Sequence, residues 1–297
     1  MTDKNYPNYF IAGDSASKKA QAWYIRLVGI DLLLMIASAL ISIYNYETAE
    51  SKEVIYIISG VFLLGALFIS ILLRVRKFED YWYTGRALAE SCKTLSWRFM
   101  MLSEDFESTI PNNEAEKRFK DKINLVKDQF PDLNKVMNTS YINLPFISDE
   151  MKRIRALPLT DRKTYYLRHR VQDQINWYSS KAESNKDKYE LWFSIVIGLQ
   201  LLALVSIYFL VTSPMSNFNF VGLFSTVAAS GFSWLQVKKY QENKEAYTMA
   251  NSELNQIKAE ADLINTEEEF SKYVLDSENA MSREHTMWLA QKRIKKK

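Results

Sequence analysis

Apolar residues in this chain are bunched rather than spread. Four stretches stand out: 27–44 (LVGIDLLLMIASALISIY), 54–73 (VIYIISGVFLLGALFISILL), 191–212 (LWFSIVIGLQLLALVSIYFLVT) and 218–235 (FNFVGLFSTVAASGFSWL). Three are uncharged and the first carries only Asp31. A bilayer-crossing helix needs about 20 apolar residues, within a range of roughly 17–25. The pattern predicts four spans arranged as two hairpins. Buried helices of a large soluble core are the alternative. Soluble helices, however, ordinarily show an apolar stripe rather than an uncharged run. The first run starts too far along the chain, and lacks the small-residue ending, to read as a secretory signal peptide.

Between and after the spans the period changes to that of amphipathic helices. Leu88, Cys92, Leu95, Phe99 and Leu102 recur at spacings of four and three, which makes a buried stripe. Cys92 belongs to that stripe and reads as structural rather than reactive. Pro111, Pro131 and Pro145 break the region from Phe106 to Pro158 into helical pieces. Thr160 is placed to cap the next long helix, whose stripe is Val171, Ile175, Tyr178 and Ala182. After the fourth run, Tyr247, Ala250, Leu254, Ile257, Ala261 and Ile264 keep a heptad pattern. That is a seam against another helix or another subunit. Thr266 with Glu269 reads as a capping box starting a new helix, with Phe270, Tyr273, Val274, Met281 and Trp288 as its apolar face.

Charge sets an orientation. Lys18, Lys19 and Arg26 precede the first span, and Arg74, Arg76 and Lys77 follow the second. Lys181, Lys186 and Lys188 precede the third, and Lys238 and Lys239 follow the fourth. The loop between the first two spans carries Glu47, Glu50 and Glu53 against Lys52, while the second loop is uncharged and contains Pro214. The positive-inside rule places both termini and the middle region in the cytoplasm, and Trp23, Tyr24, Tyr44, Trp192, Tyr208 and Trp234 suit the interfaces. The same order of elements appears twice, and local matches accompany it. Ser17-Lys18-Lys19-Ala20 echoes Ser180-Lys181-Ala182, and Val75-Arg76-Lys77-Phe78 echoes Val237-Lys238-Lys239-Tyr240. The chain thus reads as a duplication, 1–157 and 158–297, with Pro158 at the boundary.

Composition narrows the chemistry. With 8 glycines, 6 prolines, one cysteine and two histidines, the chain has no material for a disulfide framework, a multi-cysteine metal site or a His-based zinc site. A net charge of +3 is too balanced to imply nucleic acid. No glycine loop followed by lysine and a hydroxyl, no GxSxG elbow and no HExxH helix is present. The expectation is a non-enzymatic protein without metal or cofactor. Its carboxylates read as solvated helix partners, Arg86 with Glu90 among them.

Two stretches resemble a known family. Gly85-Arg86-Ala87-Leu88-Ala89-Glu90-Ser91-Cys92-Lys93-Thr94 with Trp97-Arg98-Phe99 resembles one branch of the SLATT family. Tyr166-Leu167-Arg168-His169-Arg170-Val171-Gln172-Asp173-Gln174, with Trp177-Tyr178, Lys181-Ala182, Glu284-His285 and Trp288, resembles a second branch. The resemblance covers nearly the whole chain as two tandem copies and is weakest between residues 103 and 150. It implies an all-α membrane protein: two transmembrane hairpins with long cytoplasmic amphipathic helices. It also implies a bacterial inner-membrane effector of anti-phage defence that oligomerises to permeabilise the membrane. A nucleotide-signalling or reverse-transcriptase protein would be the partner. The rival reading is a membrane-anchored sensor or scaffold that forms no pore.

Several residues are candidates for function. In the fourth span Gly222, Thr226 and Ser230 form one helical row, and Ser225, Ala229 and Ser233 the next. Small residues at this spacing suit close helix packing, and their hydroxyls suit a narrow aqueous path. Asp31 is an ionisable residue inside a span, placed for function or for pairing near Arg26 at the membrane edge. Gln200 is an interhelical hydrogen-bonding candidate. Arg168, His169 and Arg170 form a basic cluster suited to an anionic ligand, to lipid headgroups, or to pairing with Asp173 and Glu183. Tyr247, Leu254, Ile257, Ala261 and Ile264 are the candidate oligomer seam.

Overall fold

The structure is a computed structural model. It describes residues 2–43, 49–213 and 217–294, with side chains for all of these except 49, 51 and 283–294. Tyr44, Glu47, Pro214 and the side chains of Glu284, His285 and Trp288 therefore lie outside the described residues.

All regular structure among the described residues is helical. The main helices are α1 (Asn8–Ile41), α2 (Ala49–Arg76), α3 (Phe78–Met100), α4 (Asn112–Asp128), α5 (Thr139–Ile142), α6 (Asp149–Arg155), α7 (Leu159–Tyr166), α8 (Gln172–Thr212), α9 (Val221–Lys238), α10 (Tyr240–Ala259) and α11 (Glu267–Ile294). A π-helical turn, Leu167–Val171, joins α7 to α8. Helices of 34 and 41 residues, α1 and α8, are each longer than the roughly 30 Å hydrocarbon core at about 1.5 Å per residue. Each therefore carries a polar length besides its apolar one.

Contacts divide the chain into two units, and each unit draws on both halves of the sequence. One comprises Met1–Gln21, Glu79–Lys181 and Glu245–Lys297; the other comprises Ala22–Phe78 and Ala182–Lys244. The first has a sealed core. Phe10, Leu88, Trp97, Phe99, Phe119, Ile154, Tyr166, Leu254, Phe270 and Val274 are buried together. Burying a side chain of this size is worth about 1.5–3 kcal/mol in water. In this unit α1 and α3 cross with their backbones in contact. A Cβ on Gly85 would stand 2.9 Å from the Gly13 carbonyl oxygen and 3.0 Å from the Ser17 nitrogen. Only glycine permits that approach. Ser17 fixes the crossing by donating its hydroxyl to the Trp82 carbonyl at 2.8 Å.

The second unit leaves its large apolar side chains outside. Leu33, Leu64, Leu67, Phe68, Leu204 and Phe209 are all more than half exposed. Exposed apolar surface on this scale marks an interaction with membrane or protein.

The duplication has a backbone signature. Lys77 and Lys239 both adopt φ of 50°, a left-handed conformation that ends a helix. Each stands in one of the two matching exit motifs. They lie 162 positions apart, the same interval as Lys19 and Lys181. A left-handed lysine costs about 1–2 kcal/mol, so its recurrence at equivalent places is informative.

Two capping expectations came out differently. The Thr266–Glu269 box forms in full: the Glu269 amide donates to the Thr266 hydroxyl at 3.2 Å, and the Thr266 amide donates to the Glu269 carboxylate at 3.0 Å. Thr160, in contrast, is the second residue of α7 and not its cap. The Pro158 carbonyl already accepts the Arg162 amide at 2.9 Å, so the helix starts at Leu159. Proline's fixed φ suits that starting position.

Candidate functional site

The first hairpin, α1 with α2, is joined by polar contacts. The Ser38 and Ser59 hydroxyls share a hydrogen bond of 2.6 Å. Half-buried Asp31 accepts from the Ser70 hydroxyl at 3.3 Å. The sequence suggested Arg26 as a neighbour for Asp31; Arg26 is exposed, and Ser70 on the facing helix is the group that meets the carboxylate. Five residues along a helix turns Arg26 away from Asp31, a geometry that proximity in sequence conceals. Leu34 fills the notch at Gly65, where a Cβ would be 3.2 Å from its Cδ1.

The second hairpin, α8 with α9, is joined by apolar contacts. A Cβ on Gly231 would lie 3.0 Å from Val196 Cγ2, and the Trp192 and Trp234 rings are 6.3 Å apart. Ala228, Ser230, Gly231 and Leu235 are the buried residues of α9. The two predicted rows therefore behave differently. Along the first, Gly222 is exposed, Thr226 half-buried and Ser230 buried. Along the second, Ser225, Ala229 and Ser233 are all exposed. Gln200 on α8 is exposed as well. Gly231, which belongs to neither row, makes the tightest approach in this hairpin.

The basic cluster is split by the π-helical turn. Arg168 is exposed and His169 lies against Tyr165, ring centres 4.6 Å apart. Arg170 turns inward, 2% exposed, and meets Glu278, which is fully buried. The pair is bidentate: Nε donates to Oε1 at 2.8 Å and Nη2 to Oε2 at 2.7 Å. Tyr166 donates its hydroxyl to the same carboxylate at 3.0 Å, and Arg170 lies over the Trp97 ring at 5.9 Å. Trp97 in turn donates to the Tyr6 hydroxyl at 2.8 Å. Burial pushes the Tyr6 and Tyr166 phenols up; burial and then Arg170 push Lys93 down. The partner is neither Asp173 nor Glu183. Glu278 lies 108 residues away, so no local spacing announces it.

Two further arginines are buried. Arg155 donates to the carbonyls of Phe99 (2.6 Å) and Phe106 (3.0 Å), and burial with Arg162 alongside lowers it to about 10. Arg162 donates to the Met101 carbonyl at 3.0 Å and pairs with Glu267. These groups close the end of α3, where Leu102 and Asp105 take left-handed conformations. Arg155 and Arg162 thus pin a tight turn.

The heptad seam is consumed inside the chain. Leu254, Ala261 and Ile264 are buried in the first unit's core, with Tyr247 and Ile257 packed against it. Of the two partners the sequence left open, the structure supplies another helix of the same chain: Tyr247 meets Trp177 of α8 at 5.2 Å. Cys92 is fully buried, and desolvation raises its thiol.

These features define a class: an all-helical membrane protein. Among the described residues, three helical stretches, Asn8–Ile41, Lys52–Met100 and Leu159–Thr212, are long and apolar enough to cross a bilayer. The fourth predicted span is the 18-residue helix α9, diluted by glycine and hydroxyl residues. Comparison with family models is specific. Residues 7–163 match SMODS and SLOG-associating 2TM effector domain 3, and residues 166–288 match SMODS and SLOG-associating 2TM effector domain 1. The chain belongs to the SLATT family, as a tandem of two of these membrane effector domains. No curated protein and no solved structure gave a match.

Proposed function

We propose that this chain is a four-span effector of the bacterial inner membrane, with both termini cytoplasmic, acting in anti-phage defence. Several copies assemble, permeabilise or depolarise the membrane, and arrest the infected cell. The observation that carries the reading is the tandem of two-span effector domains. The outward small and hydroxyl residues of α9 support it, since they suit either close helix contact or a narrow aqueous path. One chain supplies two hairpins, too few helices to surround a wide hole, so several copies are required. The chain works without catalysis, and a partner, for example a nucleotide-signalling or reverse-transcriptase protein, reports infection. The repeat boundary lies near Pro158, a reading supported by the adjoining matches that end at 163 and begin at 166.

A membrane-anchored scaffold is the competing function, favoured by the extent of the sealed helical core. A voltage-sensitive dye in bacteria during induced expression, with and without phage, separates the two. The effector depolarises the membrane before viability falls. An unchanged potential in both conditions, with the protein present in the membrane, favours the scaffold.

A further inference from the structure

The third-span helix carries an outward seam of its own. Phe193, Ile197, Gln200, Leu204, Ile207 and Val211 recur along α8 at spacings of four and three. Its five apolar members are 41–75% exposed, and Gln200 is exposed too. Val196 and Ala203, which flank the seam, are buried at 3% and 8%. Contact within the hairpin therefore uses the neighbouring face and leaves this one free.

Gln200 decides what the seam meets. It stands near the middle of the uncharged run 191–212, and it has no hydrogen bond among the described residues. A side-chain amide carries two donor hydrogens and an acceptor oxygen. Lipid tails answer neither, and an unpaired amide in hydrocarbon is costly. Copies of one chain insert with one topology, so each places Gln200 at the same depth. Two seams meeting about a two-fold axis along the membrane normal bring amide to amide, each donating to the other's oxygen. A lone polar residue in a heptad seam also fixes its register.

We infer that this face of α8 is where two copies of the chain associate in the membrane, Gln200 of one pairing with Gln200 of the other. This rests on the reading that α8 crosses the bilayer, and it supplies one contact of the assembly, the one that joins copies in pairs.

Disulfide trapping in native membranes tests it. Leu204→Cys lies on the seam; Phe209→Cys lies about 180° from Gln200 at roughly 100° per residue. The buried native Cys92 does not compete. Under a mild oxidant, Leu204→Cys forms a covalent dimer and Phe209→Cys does not. Adding Gln200→Leu to Leu204→Cys lowers the dimer yield about tenfold, whereas adding Gln200→Asn keeps most of it. Equal trapping by the two cysteine variants, no dimer from Leu204→Cys, an adduct to a different protein, or a yield indifferent to Gln200→Leu overturns the assignment. Membrane potential read in the same cells separates this from the functional proposal. A Gln200-dependent dimer with unchanged potential keeps the seam and sinks permeabilisation. Full depolarisation by Gln200→Leu does the reverse.

Discussion

In the first hairpin, Ser38 meets Ser59 and Asp31 meets Ser70, so these polar groups of α1 and α2 are answered within the hairpin. In the second, α8 and α9 touch through Val196, Gly231 and the Trp192–Trp234 pair, while Gln200, Ser225 and Ser233 face outward. The first unit, with its sealed core, is the extreme of the first behaviour. There even a fully buried carboxylate, Glu278, has Arg170 and Tyr166 on it. Where polar groups are matched within the chain, the element is structurally self-sufficient. Where they are left on a lipid-facing side, another surface is needed to answer them, because hydrocarbon cannot.

The largest effect that sharpens this contrast comes from the matched side. Arg170→Met leaves Glu278 buried without its cation, and stability falls by about 3–5 kcal/mol. Urea unfolding of the full chain in detergent, followed by tryptophan fluorescence, measures it. Gln200→Leu in the same assay leaves the midpoint unmoved.

Glycine gives the next test. Gly85→Ala sets a methyl against backbone atoms of α1 at 2.9 and 3.0 Å, forcing α1 and α3 apart at a cost of about 1–3 kcal/mol. Gly222→Ala meets nothing within 4 Å and changes stability by less than about 0.5 kcal/mol. Equal losses from the two would erase the difference between an occupied and an open helix face.

The smallest effect is a pH response at the start of α11. The Asn265 and Thr266 amides hold Glu269 below its usual 4.5. A depressed carboxylate stabilises the fold above the unfolded value, and that contribution is lost as pH falls through the lower folded value. Exchange at the Phe270 amide, corrected for its intrinsic rate, therefore quickens below about pH 4.5. Glu269→Gln removes that response.

Much of the architecture was legible from period alone. The uncharged runs fell in helices, except that α9 starts at Val221, three residues into the run 218–235; the Leu88–Phe99 stripe is buried, and the Thr266 box formed, because these signals are local. The matching exits at Lys77 and Lys239 were visible as sequence, though not their shared left-handed backbone. Long-range pairings were not legible. Nothing near Arg170 in sequence points to Glu278, and nothing near Asp31 points to Ser70. The heptad through Leu254 showed that a partner exists without showing that α8 of the same chain provides it.

On the proposed function, the second hairpin, not the first, carries the outward surface on which killing depends. Gly60 and Gly222 allow a like-for-like test, one glycine from each hairpin, each with open space where a side chain would stand. Membrane potential is followed in cells expressing Gly60→Leu or Gly222→Leu at matched membrane levels. The account predicts that Gly222→Leu abolishes depolarisation and killing, while Gly60→Leu depolarises like the parent chain. Normal depolarisation by Gly222→Leu, or its loss in Gly60→Leu alone, would contradict it.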